Sequence, residues 1–500
     1  MNGADRMIWR TPANRSLRRL IFTGLLLAAA SCTTGQDDSP VKVDLIGMKS
    51  DLLEPLRASD TPAGKATLGA IAQGLLSFDA RGEVMDALAE SWIVEAGGQS
   101  YIFRLKRISW ADGDEPVKAE TVARLLRERF RANPTWLAGL KPQVRAMTDR
   151  VIEIRLDAAL PAFLQLLAQP QFAIMAGKKG TGPYRAKLEG NRLDLTPVTG
   201  LGNGALENTQ EEPATARHRI MQADSGARAL VRFAARRTDL VLGGRFQHLL
   251  LVPAAGFAMT DLRIDPVSGL FGLAITSRSP LLADGNVRDA LARVIDRAAL
   301  ATALGLPGWQ TLDHPLPAAL ELDRPPTMPV WAESDRATRV AIARQAVEHW
   351  RSRHDEPPPL RVALPQGAGA TLLFRRLTRD FAELGIRITR VAADAPADLV
   401  LIDEVAPFDS ALWYLSRLDC AAGLRCDARA SDLLAAAREA DTAAEQARLL
   451  GEAERLIVGY SAYIPLGQPI RWSLASRRLT GFEPSPRGVH PLNKLIPIPN

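Results

Sequence analysis

Hydrophobic and polar positions near residue 100 follow the two-residue period of a β-strand. Within Tyr101–Leu105 the first, third and fifth side chains are large and apolar and share one face. The apolar segment Trp92–Val94 precedes it, with a turn signal at Gly97–Gly98 between them, so the two segments predict a β-hairpin. The helical pattern that follows predicts a helix over residues 118–130.

A second alternation predicts an α/β unit in the last third of the chain. The pattern predicts a strand at Leu360–Leu364 and then a helix at Ala370–Leu384, which ends at Gly385, a residue type that suits the end of a helix. Two more strands are expected at Ile386–Val391 and Leu399–Ile402. We therefore predict a globular protein of the α/β class.

The first 31 residues predict a secretion signal. Five arginines precede the apolar segment Leu20–Ala30, which is too short to span a bilayer. Small residues stand directly before Cys32, as in a bacterial lipobox, where the cysteine becomes the lipidated first residue of the mature protein. We expect a lipoprotein signal peptide over residues 1–31, a polar tether over residues 32–40 and lipidation of Cys32. The alternative is ordinary secretory cleavage with an incidental Cys32.

Charge and length change the picture once this segment is removed. Residues 1–31 carry five Arg and one Asp, so cleavage lowers the formal net charge from +6 to +2. No stripe of Lys and Arg interleaved with aromatic residues occurs in the sequence, and we expect no nucleic-acid partner. The remaining 469 residues exceed a single hydrophobic core and predict two or three domains.

Two cysteines remain beyond Cys32. Cys420 and Cys426 are close in sequence, and in an exported protein this spacing predicts a disulfide that closes a small loop. A metal site would need two further ligands, and the nearest histidines in sequence are His354 and His490. We predict a disulfide and no metal.

Catalytic motifs are missing from the sequence. Gly459–Tyr463 resembles a nucleophile elbow but lacks its final glycine. Gly180–Tyr184 is glycine-rich but lacks the Lys-Ser/Thr pair of a phosphate-binding loop, and a structural turn is the better interpretation. No zinc-binding helix motif occurs, and the six histidines are scattered. We predict that the protein is not an enzyme and needs no cofactor.

Four short sequence motifs occur in a particular order along the chain. Leu-Ala-Glu-Ser-Trp stands at Leu88–Trp92, Asp-Gly-Asp-Glu-Pro-Val-Lys-Ala-Glu-Thr-Val at residues 112–122, and Gly-Thr-Gly-Pro-Tyr at Gly180–Tyr184. Residues 286–297 read NVRDALARVIDR. In this order the chain resembles the family 5 solute-binding proteins, the peptide-binding subunits of ABC importers. The likeness covers nearly the whole mature chain and is weakest between about 186 and 265.

The sequence departs from the family at two places. Arg236–Asp239 replaces the family's Gly-Glu-x-Asp element, and Ile275 with Thr276 replaces an Asn-Thr pair. A ligand contact made by that pair in the family is therefore in doubt here.

The resemblance implies a two-lobed periplasmic-binding-protein fold, type II-like and of the peptide-binding cluster, with an extra domain in the N-terminal lobe. We expect that extra domain at residues 71–171 and the second lobe at residues 256–470. The body of the first lobe is expected to be discontinuous and to comprise residues 41–70, 172–255 and 471–500.

The resemblance also implies candidate ligand-binding residues. The run from Asp403 to Pro407 resembles the family's Asp-x-x-x-Pro, whose Asp receives the α-amino group of a bound peptide. Asp403 is expected just past a strand, at its carboxyl end, where open α/β sheets bind ligands. Asp409 and Asp419 are competitors for this role, and Trp413 and Tyr414 are candidates for the pocket wall.

The resemblance implies a monomer in the periplasm, anchored to the membrane by lipid alone, that binds a peptide and delivers it to an ABC permease with its ATPase. Two alternatives stay open. The same fold binds another solute, such as a chelated metal, an oligosaccharide or a haem-like molecule. Otherwise the chain is a sensor or structural lipoprotein with a degenerate cleft.

Overall fold

The protein is described by a computed structural model that covers residues 39–497, apart from residues 80, 112, 114, 138–139, 161, 199–217, 277, 319, 321 and 441. The predicted signal peptide, most of the predicted tether, and Cys32 lie outside the described residues. None of the helices in the described part combines the length and the apolar character that crossing a membrane requires.

The strands, in chain order, are β1 Val41–Ile46, β2 Leu76–Phe78, β3 Val84–Asp86, β4 Ala89–Glu95, β5 Ser100–Leu105, β6 Gln143–Thr148, β7 Val151–Arg155, β8 Tyr184–Glu189, β9 Arg192–Pro197, β10 Arg219–Asp224, β11 Leu240–Arg245, β12 Arg263–Ile264, β13 Gly269–Ile275, β14 Leu360–Ala363, β15 Ile388–Val391, β16 Leu399–Val405, β17 Tyr463–Gly467, β18 Arg471–Ala475, β19 Leu479–Thr480 and β20 Ile496–Pro497.

The α-helices are α1 Lys49–Leu53, α2 Pro62–Ile71, α3 Ala119–Ala132, α4 Phe163–Leu167, α5 Gly226–Ala234, α6 Leu251–Ala254, α7 Gly285–Val294, α8 Arg297–Leu304, α9 Arg336–Arg351, α10 Ala368–Ala382, α11 Ala411–Ser416, α12 Ala428–Arg438 and α13 Ala443–Tyr460.

The largest sheet has seven strands in the order β12-β18-β11-β1-β10-β9-β8. Its central strand β1 runs parallel to both β10 and β11, and Val41, Val43 and Leu45 on that strand are fully buried. Strand β18, from the C-terminal part of the chain, pairs antiparallel with β11. The sheet therefore joins segments that lie more than 200 residues apart in sequence.

A second sheet has five strands in the order β15-β14-β16-β13-β17. The sheet is mixed. Strand β14 runs parallel to β15 and β16, whereas β13 runs antiparallel to β16 and β17. The strands and helix predicted for this α/β unit are confirmed, with small shifts of their ends. The prediction that β16 stops at Ile402 was wrong. The strand continues to Val405 because Asp403, Glu404 and Val405 pair with Phe271, Leu270 and Gly269 of β13, so Asp403 lies inside the strand.

The predicted hairpin near residue 100 is strands β4 and β5, in which Trp92 lies opposite Phe103. They belong to a four-stranded antiparallel sheet with the order β4-β5-β7-β6. Helix α3 carries the predicted helical segment, and its Val122, Leu126 and Phe130 are buried in the same apolar core as Phe103.

The Gly-Thr-Gly-Pro-Tyr segment is a structural turn. Its Gly182 N–H donates to the carbonyl oxygen of Ile71 over 3.1 Å. A Cβ at Gly180 would lie 2.0 Å from that same oxygen, so only glycine allows the turn to approach the end of α2 this closely. The segment thus holds α2 in place and forms no phosphate-binding loop.

Candidate ligand-binding cavity

A cavity of about 640 Å³ lies where the seven-stranded and five-stranded sheets meet. Helix α2, the end of β11, the end of β16 and the start of β18 all contribute to its wall. Its charged lining residues on these elements are Lys65, Arg245, Asp403, Glu404 and Arg471. The apolar part of the wall includes Leu76, Phe78, Trp136, Trp413 and Trp472.

Helix α2 brings Lys65 to the cavity. The helix begins after Thr61, whose hydroxyl oxygen accepts from the Gly64 N–H over 3.1 Å, and Pro62 occupies its first position. On β11, Gly243 has φ +85°, and a Cβ there would lie 2.9 Å from the Pro62 Cβ. This close approach seats the start of α2 on β11, two residues before Arg245.

Asp403 and Glu404, neighbours on β16, each pair with an arginine. Arg471 Nη1 donates to Asp403 Oδ1 over 2.8 Å, and both side chains are largely buried. Arg417 donates to both carboxylate oxygens of Glu404, with Nε to Oε2 at 2.8 Å. Oδ2 of Asp403 receives no hydrogen bond within the described part of the chain. Asp403 thus lines the cavity, and its charge is already balanced on one side by Arg471.

Lys65 and Arg245 differ from these pairs. Neither side chain has an ion pair or hydrogen bond to another described residue. Burial, with the positive fields of Arg245 and Arg471, lowers the pKa of Lys65 to about 8, and Asp60 opposes this shift. Burial and then the field of Arg471 also lower the pKa of Arg245. This end of the cavity therefore holds a local excess of positive charge.

The other predicted binding residues are separated by the fold. Trp413 lines the cavity, whereas Tyr414 and Asp409 do not. Tyr414 is 1% exposed, and burial raises the pKa of its hydroxyl. Asp409 accepts from Arg487 Nη1 over 3.0 Å, and its own backbone N–H donates to Gln165 Oε1 over 3.1 Å.

The competitor Asp419 also lies away from the cavity. Its carboxylate accepts from the Cys420 N–H over 2.7 Å and from the Ser431 hydroxyl, so it serves the local fold. Next to it, Cys420 and Cys426 form a disulfide with their Cα atoms 5.1 Å apart. Within the described residues, no three His, Cys, Asp or Glu side chains are grouped as metal ligands.

The sequence alone did not point to Lys65, Arg245 or Arg471. Lys65 stands in an ordinary helix, and the two arginines lie at strand ends with no motif around them. The one signal available was the charge itself: an arginine at the end of an apolar strand such as β11.

Comparison with known proteins gives a sequence match to "Bacterial extracellular solute-binding proteins, family 5 Middle" over residues 83–212. The probable deoxycholate-binding periplasmic protein YgiS of Escherichia coli is 28% identical over 139 residues, which are 24% of this chain and 26% of that protein. The glutathione-binding protein GsiB of Escherichia coli is 30% identical over 183 residues, 33% of this chain and 35% of that protein. The chain thus matches about a third or less of the length of these curated relatives.

The solved structure of the Escherichia coli murein tripeptide binding protein MppA superposes with a TM-score of 0.75 at 17% identity, covering 92% of this chain and 99% of that one. This likeness confirms the predicted two-lobed periplasmic-binding-protein fold of the α/β class. The chain therefore has the fold of the periplasmic binding proteins, and over residues 83–212 its sequence is similar to family 5 of the bacterial extracellular solute-binding proteins.

Proposed function

We propose that the protein is the extracytoplasmic substrate-binding subunit of an ABC importer. It captures short peptides in the cavity between its seven-stranded and five-stranded sheets. The observation that carries this proposal is a cavity of about 640 Å³ with charged groups of both signs along its wall. That volume lies within the range of roughly 300–1,000 Å³ typical of small-molecule sites. A short peptide is a zwitterion, which suits a wall of this kind.

Two further observations support a peptide. Among the described residues, Asp403 Oδ2 receives no hydrogen bond and can accept from an α-ammonium, and Gln73 Oε1 in the cavity wall is buried with no donor. A peptide offers both an ammonium and backbone N–H groups. The names of GsiB and MppA describe the binding of glutathione and of a murein tripeptide, both short peptides.

A second candidate ligand is a non-peptide organic acid. The name of YgiS describes binding of deoxycholate, a steroid carboxylate, and three tryptophans give the cavity a broad apolar wall. Both candidates involve capture and release without covalent chemistry. We propose that the protein delivers its solute to a membrane permease with its ATPase. We also propose that it is a monomer in the periplasm and is anchored to the membrane by lipid at Cys32.

The test is native mass spectrometry of the protein purified from its own host under mild conditions. We expect bound species whose masses and fragments identify peptides of a few residues. Denaturation should release them, and calorimetry with the identified peptide should give a dissociation constant in the micromolar range or below. A protein that carries no solute and binds no member of a di- and tripeptide library would overturn the proposal.

A further inference from the structure

Two arginines lie directly opposite each other at the cavity wall. In the antiparallel pairing of β11 with β18, Arg245 is the partner of Arg471. Like charges in directly opposed positions of a sheet destabilise the pairing. The arrangement is fixed by the surrounding packing, because Trp472 Nε1 donates to the Arg245 carbonyl oxygen over 3.1 Å and the Trp472 ring lies against Gly244.

Only one of the two guanidinium groups is neutralised by the protein. Arg471 is held by Asp403, whereas Arg245 has no carboxylate partner among the described residues. Lys65 faces the same space from α2, also without a partner among the described residues. Three cations thus lie near one carboxylate, Asp403, which is hydrogen-bonded to Arg471.

The remaining charged groups nearby do not remove this excess. Glu404 is engaged by Arg417. Asp60 also lines the cavity and its field opposes the lowering of the pKa of Lys65 and Arg245, but its side chain is exposed and bonds to neither of them, so three cations still face two carboxylates, Asp60 and Asp403. His248 adds no positive charge at neutral pH, because burial and the field of Arg245 lower its pKa to about 4. Partly buried cations that repel one another are stabilised when an anion binds between them.

We infer that Lys65 and Arg245 form an anion subsite that holds a carboxylate group of the bound solute at the C-terminal end of β11. The inference rests on the proposed function and adds to it the chemical class and direction of the ligand. An ammonium reaches the site from the Asp403 Oδ2 side, and the carboxylate lies against Lys65 and Arg245. A peptide or a non-peptide organic acid can supply that carboxylate.

The test follows the Lys65 ammonium directly. Reductive methylation with ¹³C-formaldehyde labels the lysines of the purified protein without removing their charge, and the Lys65 signal is assigned by its loss in Lys65→Met. The probes are succinate, trialanine and trialanine amide, each titrated at pH 7. Lys187 is the internal control, since it does not line the cavity and pairs with Glu189 over 2.8 Å.

We expect the Lys65 signal to shift saturably with a carboxylate probe and to shift much less with the amide, while the Lys187 signal stays in place. Calorimetry should show that Lys65→Met and Arg245→Met each weaken binding of that carboxylate probe by about tenfold to a hundredfold, the range of a charged hydrogen bond. Lys187→Met should change it by less than about twofold.

The two proposals fail in different ways. A Lys65 signal unmoved by both succinate and trialanine overturns the anion subsite, even if native mass spectrometry finds a bound peptide. A Lys65 signal that shifts with succinate but not with trialanine supports the anion subsite and indicates that the ligand is a non-peptide acid. If the amide shifts Lys65 as strongly as trialanine does, the carboxylate assignment is wrong.

Discussion

Arg471 Nη1 donates to Asp403 Oδ1 over 2.8 Å, and Arg471 Nη2 donates to the carbonyl oxygen of the same residue over 3.0 Å. Arg471 therefore binds both the side chain and the backbone of Asp403, the residue that the sequence predicts to accept the ligand's α-ammonium. Asp403 is held rigidly, which suits recognition, and it offers one oxygen rather than two. Its contribution to ligand affinity should be smaller than that of an unpaired carboxylate.

Replacing Asp403 tests its proposed role with the α-ammonium. We expect Asp403→Asn to weaken binding of a free-amine peptide by about tenfold, the low end for a charged hydrogen bond, because Arg471 already shares the charge. N-acetylation of the peptide should weaken wild-type binding similarly and the variant little further, since both changes delete one interaction. Calorimetry on the four combinations measures this coupling.

Glu404→Gln is the matched control, since Glu404 is the next residue on β16, lines the cavity and has its own arginine. It should leave the effect of N-acetylation unchanged. Additive losses for Asp403→Asn and N-acetylation would remove Asp403 from the ammonium site.

The Asp409–Arg487 pair links the two predicted lobes beside the cavity, whose wall includes Arg487 but not Asp409. Side-chain exposure is 56% for Asp409 and 8% for Arg487, so the pair is only partly shielded from water. We expect it to favour the closed arrangement slightly, and Asp409→Asn should weaken ligand binding by about two- to fivefold. Stopped-flow measurements should show that this weaker binding comes from faster dissociation of the ligand. An unchanged dissociation rate would contradict this role for the pair.

Lys65 should make stability depend on alkaline pH. Its pKa is about 8 when folded, against an ordinary value of 10.5, so the unfolded chain binds more protons between these two values. The free energy of unfolding should therefore rise with pH across that window, by at most about 3 kcal/mol from this residue. The check is the difference between wild type and Lys65→Met, measured by urea unfolding at pH 7, 8, 9 and 10.

The sign of that difference decides the result. Lys65→Met should be the more stable protein at pH 7, and its advantage should shrink as pH approaches 10. An advantage that is constant with pH would mean that the Lys65 ammonium is not destabilised by burial and by its neighbours.

The Cys420–Cys426 disulfide closes a loop with a sequence separation of six residues. On the chain-entropy model, replacing both cysteines by serine should lower the free energy of unfolding by about 2 kcal/mol. Thermal unfolding of the double variant with and without reductant measures it, and the variant should be insensitive to reductant. Two thiols that alkylate freely in the native, unreduced protein would contradict the bond.

Cys32 stays a prediction that needs its own experiment. Cys32→Ser should release the protein from the membrane fraction or stall its processing, because lipid chains of about 0.8 kcal/mol per methylene would be lost. Fractionation and intact-mass analysis of both proteins measure this. A matured Cys32→Ser protein that still sediments with membranes would rule out lipidation as the anchor.

Much of the fold was predictable because its signals are local. The alternation in Tyr101–Leu105 and the turn at Gly97–Gly98 determine the β4–β5 hairpin within about fifteen residues of chain. The same holds for the β14–α10–β15 unit, whose helix stops before Gly385, a residue with φ +66°. The end of β16 was not predictable, because Asp403 to Val405 become a strand only by pairing with β13.

The sequence by itself determined the α/β class, the resemblance to family 5 and the choice of Asp403 as a candidate, since each depends on contiguous residues. Only the tertiary structure decided what surrounds that carboxylate. Arg471 reaches Asp403 across 68 positions of sequence, and Arg245 lies opposite Arg471 because β18 returns to pair with β11. Charge balance in the cavity is a sum over groups from distant segments, and strand pairing and the seating of α2 on β11 determine which of those groups meet.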